Sequence, residues 1–178
     1  MSNNNPDNDP ITRMATKKKA SPFFQDSGRI PPQAVDFEEA VLGALMLEKN
    51  AVNDVIDVLS PESFYKDQHQ KIYAVVHHLF GNSQPIDILT VTQELRNRGE
   101  LEYVGGAYYI SQLTNRIASA ANVEHHARII AQKFIQRELI RISSDTIKMA
   151  YDETTDVFDL LDKAESSLFQ VAEGNLSK

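Results

Sequence analysis

Five histidines and two adjacent acidic pairs are the residues of this chain with the most chemistry to offer. Imidazole nitrogens and carboxylates bind metals and move protons, and spacing decides whether they act together. His77 and His78 are neighbours, as are His125 and His126, and adjacent residues on a helix point about 100° apart. No His-x-x-x-His and no Glu-x-x-His occurs, so the helical motifs that set two metal ligands on one face are missing. The histidines therefore read as structural or surface residues. Glu38-Glu39 and Asp152-Glu153 read as helix-terminal charges, because acids favour helix N-termini. Absence of cysteine removes disulfides, thiolate ligands and thiol nucleophiles, and fits a reducing compartment. The string G-x-x-x-x-G-K-S/T is missing too; its amides would cradle nucleotide phosphates. The expectation is no catalytic, cofactor or metal site.

What remains is a set of helices. With 178 residues, 42% of them hydrophobic, the chain can build one domain with a real core. The longest apolar run, residues 40–47, is far short of the roughly 20 residues that cross a bilayer. No apolar segment of the secretory kind follows the N-terminus, so the expected location is the cytoplasm, without membrane contact. Residues 1–30, rich in Asn, Asp, Pro, Ser and Lys, show no hydrophobic period and read as a disordered tail. Its Lys17-Lys18-Lys19 run is either solvating or a contact for nucleic acid or an acidic surface. Residues 1–32 hold five basic and three acidic residues, net +2; the other 146 hold 13 and 22, net −9. Duplex binding rests on neutralising phosphates with a basic face, and the folded part has the opposite sign.

Order is expected from Ile30-Pro31-Pro32. Asp36-Phe37-Glu38-Glu39 has the pattern of a capping box, and Val41, Leu42, Leu45 and Met46 follow at helical spacing. Gly43, costly in mid-helix, suggests a close helix crossing. A short helix is expected at about 51–58, then Ser60-Pro61 as N-cap and N1. Asp67 with Gln70 should cap a helix burying Ile72, Val75, Val76, Leu79 and Phe80 and ending at Gly81-Asn82. Asp87 should cap the next, with Leu89, Val91 and Leu95 inward and Gly99 as the stop. Gly105-Gly106 precedes a helix at about 107–117 (Tyr108, Tyr109, Leu113). Asn122 should cap a helix reaching about Tyr151, and an amphipathic helix covers about 156–172. The fold class is all-α.

The long helix has more apolar faces than one small domain can cover. At about 100° per residue, Val123, Ala127, Ile130 and Phe134 share one sector. Ile135, Leu139, Ile142, Met149 and Ala150 share a second; Ile129, Ile140 and Ile147 stack in a third. The third face either meets another subunit or is covered when helix 156–172 folds back. Helix 156–172 has the same surplus: Phe158, Leu161, Leu168, Phe169 and Ala172 form a strip opposed by Asp159, Asp162, Lys163, Glu165 and Glu173.

In the order and spacing of these pieces the chain resembles the N-terminal domain of the DnaB-type replicative helicases. The resembling residues begin at 31–47 and continue through Leu59-Ser-Pro-Glu-Ser-Phe-Tyr65, His69 with Ile72-Tyr73, and Ile86-Asp-Ile-Leu-Thr-Val91. They go on with Gly99-Glu-Leu101, Gly105-Gly106, Ala121-Asn122, Asp162-Lys-Ala-Glu165 and Phe169, so that about residues 30–173 are covered. The resemblance implies a small helical bundle head (about 31–104), a helical hairpin (about 105–151), and a linker (152–178) carrying an amphipathic helix. It implies that hairpins pair, and that three pairs form a collar on a hexamer. It further implies that the collar receives the C-terminal domain of primase, and that the linker helix docks on the motor domain of the adjacent subunit. ATP and Mg²⁺ would belong to that motor, beyond residue 178, so this chain is no enzyme itself and meets DNA only through its parent. On this mapping Ile129, Ile135, Leu139, Ile140, Ile142 and Ile147 are the interface candidates. Phe158, Leu161, Leu168 and Phe169 are the linker-docking candidates. The linker helix is expected to be mobile, or on a substitute neighbour, without its motor.

Two other readings compete. Residues 87–98 followed by Gly99 have the pattern of a helix-turn-helix element, but Arg96 and Arg98 sit at the helix C-terminus, where they equally suit the dipole. A freestanding helical scaffold is the third reading.

Overall fold

The computed structural model describes residues 28–115 and 122–176. Residues 1–30 and 31–178 form separate units; the expected tail lies outside the described residues as far as residue 27, Lys17-Lys18-Lys19 included. Among the described residues there are six α-helices and no strand, so the all-α expectation holds. They are α1 (Val35–Leu47), α2 (Asp67–Gly81), α3 (Ile88–Asn97), α4 (Gly106–Asn115), α5 (Val123–Ala150) and α6 (Val157–Leu176), with 3-10 turns at Ala51–Asp54 and Pro61–Ser63.

The apolar run at 40–47 becomes the central helix. α1 packs against α2, α3, α4 and α5, and Val41, Leu42, Gly43, Ala44, Leu45 and Met46 are all buried. A helix enclosed on several sides needs apolar residues around most of its circumference, and an uninterrupted run supplies them. Around it close Ile72, Tyr73, Val75, Val76 and Leu79 of α2, Val91 and Leu95 of α3, Ile110 and Leu113 of α4, and Val123, Ala127 and Ile130 of α5. The Tyr73 hydroxyl donates to the Leu59 carbonyl, and burial with the charge of Asp57 pushes its phenol up, so it stays neutral.

Helix ends show where local chemistry suffices. Asp87 accepts from the amides of Leu89 and Thr90, each at 2.9 Å, while the Asp87 amide donates to Thr90 Oγ1. Gly99, at φ 71°, lets the Glu100 amide reach the Leu95 carbonyl, the six-to-one bond of a left-handed cap. Asp87→Ala should lower stability by about 1 kcal/mol, read as a shifted urea midpoint at unchanged slope.

Other expected caps are corrected. α1 starts at Val35 after Ala34, without a side-chain cap, so Asp36 and Glu38 lie in its first turn and the expected box of Asp36 with Glu39 does not form. α2 begins at Asp67 itself without a side-chain cap; Gln70 Nε2 donates to the Phe64 carbonyl, and Tyr103 donates to Asp67. Asn122 precedes α5 but makes no cap bond. Only Ala51–Asp54 of the segment 51–58 is helical, as a 3-10 turn. Leu89 points outward, 80% exposed, and borders a groove with Leu79, Pro85, Ile88 and Ala107. Gly105 is needed where it stands, since at φ 104° a Cβ would lie 2.9 Å from Tyr109 Cβ.

Among the described residues α4 packs on α1 and α3, while α5 packs on α1 and pairs with α6. Residues 151–156 join those two helices into a two-helix hairpin. α4 is ten residues long and α5 twenty-eight, which leaves the far end of α5 to be covered by α6.

Candidate interaction surface

α5 spans two environments. Its first half sends Val123, Ala127 and Ile130 into the core, and its second half runs along α6 with Ile142 buried. The turn is held by side chains: Asp152 Oδ1 accepts from the amide and hydroxyl of Thr154, which hold its carboxyl below the ordinary value. Asp156 Oδ1 accepts from the Phe158 amide at 2.8 Å and caps α6.

α6 turns an unexpected face inward. Leu160, Ala164, Ser167 and Val171 are half-buried, at steps of four and three that line one side of a helix. Ser167 and Val171 face Phe134, Glu138 and Arg141 of α5, and Lys163 and Ser167 face Ile142, Thr146 and Met149. Small side chains at 164 and 167 let the two helices approach closely. The expected strip therefore stays outside: Phe158 is 74% exposed, and Leu161, Leu168 and Phe169 are exposed as well. Fold-back of α6 covers the Ile142 and Met149 sector of α5. It leaves Leu139 41% and Ile140 45% exposed, with Ile129, Ile135 and Ile147 half-buried. Both sets of candidates thus belong to one α5–α6 hairpin, Ile142 being the one that is buried.

Charges around this surface are arranged within helices. Arg141 bridges Glu138 at 2.8 Å and Asp145 at 3.3 Å, and Arg128 pairs with Glu124 at 2.7 Å. Exposed pairs of this spacing add about 0.2–0.5 kcal/mol each to a helix, and they occupy the cations that nucleic acid would need. α3 behaves likewise: Arg98 pairs with Glu94 at 2.8 Å and Arg96 donates to Gln93.

The polar residues that matter most to the fold were not singled out in the sequence. Glu38 and His69 are fully buried, with Glu38 Oε2 2.6 Å from His69 Nδ1. Glu38 Oε1 accepts from the Tyr65 amide at 2.7 Å, and His69 Nε2 lies 2.7 Å from the Tyr109 hydroxyl. Glu38, in the first turn of α1, thus faces the core as the centre of a network tying α1 to α2 and α4. Its only sequence signal is an acid beside an apolar run. His77 and His125 are exposed, His78 lies near Asn82 and Glu94, and His126 stacks edge-on against Phe37. No group of three metal-ligating side chains exists among the described residues, and none of their helices is long and apolar enough to cross a membrane.

The described residues thus form an all-helical head with a two-helix hairpin that carries exposed apolar side chains. Residues 30–132 match the family described as DnaB-like helicase N terminal domain, and the chain belongs to that family. It is similar to the replicative DNA helicase DnaB of Rhodothermus marinus, 45% identical over 163 residues that are 92% of this chain and 17% of that protein. The replicative DNA helicase DnaC of Bacillus subtilis is 41% identical over 82% of this chain and 32% of that protein. The chain therefore spans about a third or less of the curated relatives it matches. Among solved structures, the N-terminal domain of DnaB helicase from Mycobacterium tuberculosis superposes with TM-score 0.75 at 35% identity, over 79% of this chain and 99% of that one. A structure described as a DnaB-like replicative helicase and its interactions with primase shares the fold, with TM-score 0.65 at 23% identity over 78% of this chain and 31% of that one.

Proposed function

We propose that this chain is the assembly and partner-binding domain of a hexameric replicative DNA helicase. The observation that carries the reading is the α5–α6 hairpin, on which Leu139 and Ile140 of α5 and Phe158, Leu161, Leu168 and Phe169 of α6 are each exposed. Apolar surface of this extent on paired helices calls for a partner. The first partner is a second copy: hairpins pair, and three pairs make a collar. Ile129, Ile135 and Ile147 of α5 are half-buried and Ile142 is buried; on this reading they contribute to the same interface. The collar receives the C-terminal domain of primase, the partner class with which a structurally similar helicase is described. ATP and Mg²⁺ serve a motor domain of the parent protein, which separates DNA strands in the cytoplasm.

On this reading α6 belongs to the pairing hairpin. Docking of its outer strip on an adjacent motor domain would use the same four side chains, and is the competing outcome. Nucleic-acid binding is not this domain's own work: the folded part carries net −9, and the arginines of α3 are engaged within their helix. Fluorescence titration should therefore show saturable binding of the primase C-terminal domain to residues 30–178. Labelled duplex should show no micromolar binding at low salt, where phosphate contacts are strongest. Tight, salt-dependent duplex binding without primase binding would reverse the assignment in favour of a DNA-binding module.

A further inference from the structure

Arg137 stands at the point where α5 leaves the core and enters the hairpin. Unlike Arg128 and Arg141, which pair within α5, its guanidinium reaches across to other segments. Nη1 donates to the Pro32 carbonyl at 2.9 Å and Nη2 to the Ser63 carbonyl at 2.7 Å. Its guanidinium carbon lies 5.7 Å from the ring centroids of both Tyr65 and Phe134. Pro32 precedes α1, and Ser63 closes the Pro61–Ser63 turn. Tyr65 is itself fixed by the hydrogen bond that its backbone amide donates to buried Glu38. One side chain of α5 thereby holds two segments of the head that are far apart in sequence, the stretch before α1 and residues 63–65. A planar fork with donors at fixed angles suits two carbonyls and an aromatic face at once; a lysine ammonium reaches one such partner at a time. Burial draws the guanidinium below its ordinary value, and the charge of Glu38 opposes that shift.

Arg137 sits between the two environments of α5. N-terminal to it, Val123, Ala127 and Ile130 are core residues; C-terminal to it, Leu139 and Ile140 are exposed and the helix lies along α6. The direction in which a long helix leaves a core is set by the side-chain contacts it makes where it leaves. We propose that Arg137 is a positioning residue that fixes the angle between the head and the α5–α6 hairpin, and so sets the spacing of the heads when two hairpins pair. The second part rests on the pairing function proposed above; the first concerns a single chain.

The absence of cysteine makes the test direct. Asn97→Cys on α3 and Glu153→Cys in the α5–α6 turn place spin labels on head and hairpin, and dilution with unlabelled chain confines the measured distance to one molecule. With Arg137 present the distance distribution is narrow. Arg137→Met should broaden it about twofold or add a second distance, as expected for a released hinge, and Arg137→Lys should fall between the two. A single narrow distance at the wild-type value in either folded variant overturns the proposal, even if that variant melts earlier, since lost stability alone marks a merely structural contact. Ile140→Asp serves as the control: it should abolish pairing and leave the intramolecular distance unchanged. If Ile140→Asp leaves pairing intact, the pairing function fails while the Arg137 result stands on its own.

Discussion

Replacing Glu38 with alanine lowers the stability of the fold by roughly 2–6 kcal/mol, about 1–3 kcal/mol for each of the two hydrogen-bond partners it leaves without a mate. The carboxylate is 1% exposed, and its partner His69 is wholly buried. Truncation strands two groups at once: His69 Nδ1, now 2.6 Å from Glu38 Oε2, and the Tyr65 amide, now 2.7 Å from Oε1. His69, wholly buried, keeps its full desolvation penalty, and the part-buried Tyr65 amide loses its acceptor. Glu38→Gln retains an acceptor for the Tyr65 amide and should cost less than alanine. Joint replacement of Glu38 and His69 by apolar residues of similar volume should also cost less than the two single losses added together, because no unpaired polar group remains. Chemical denaturation of the four proteins completes the cycle. Additive losses would mean that the two side chains do not act as a pair.

This network also shows where sequence reasoning ends. Asp87 and Gly99 declare their roles locally, because a cap is a contact with residues two or three positions away. Glu38 does not: its partners are Tyr65 and His69, and an acid in the first turn of a helix looks the same whether it faces solvent or a buried histidine 31 residues on. The capping-box pattern at Asp36 failed for a related reason, since packing of the helix set its start at Val35. α5 was legible as a helix with too many apolar faces, yet the pattern could not say which face α6 would take. Leu160 and Leu161 are adjacent, so two apolar strips run side by side along α6. The smaller one, with Ala164 and Ser167, won because it permits close approach to α5. Large side chains marked the exposed surface rather than the seam. Arg137 was hidden likewise, as one cation among several on a helix, until the carbonyls of Pro32 and Ser63 appeared beside it.

Ile140→Asp should cripple pairing while leaving the head folded. In a two-fold pair the same side chain appears in both copies. Ile140 is already about half covered, so burying the rest contributes about 1 kcal/mol per copy, or roughly 2 kcal/mol per pair, from the apolar area removed from water. That alone is about thirtyfold in the dissociation constant. An aspartate driven into an apolar seam adds the cost of desolvating its charge, so a loss of about a hundredfold or more is expected. The neighbouring Leu139→Asp should act in the same direction. Neither change touches the buried residues of α1 to α4, so the melting temperature of the head should hold within the range of ordinary surface substitutions.

Sedimentation velocity of residues 30–178 across a range of concentrations, with and without Ile140→Asp, bears most directly on the claim that the α5–α6 hairpin exists to pair copies of this chain. The expected result is a wild-type protein that sediments as a dimer or larger species and dissociates on dilution, beside a folded variant that stays monomeric. A folded Ile140→Asp variant that keeps the wild-type assembly, or a wild type that is monomeric at every concentration, would contradict it.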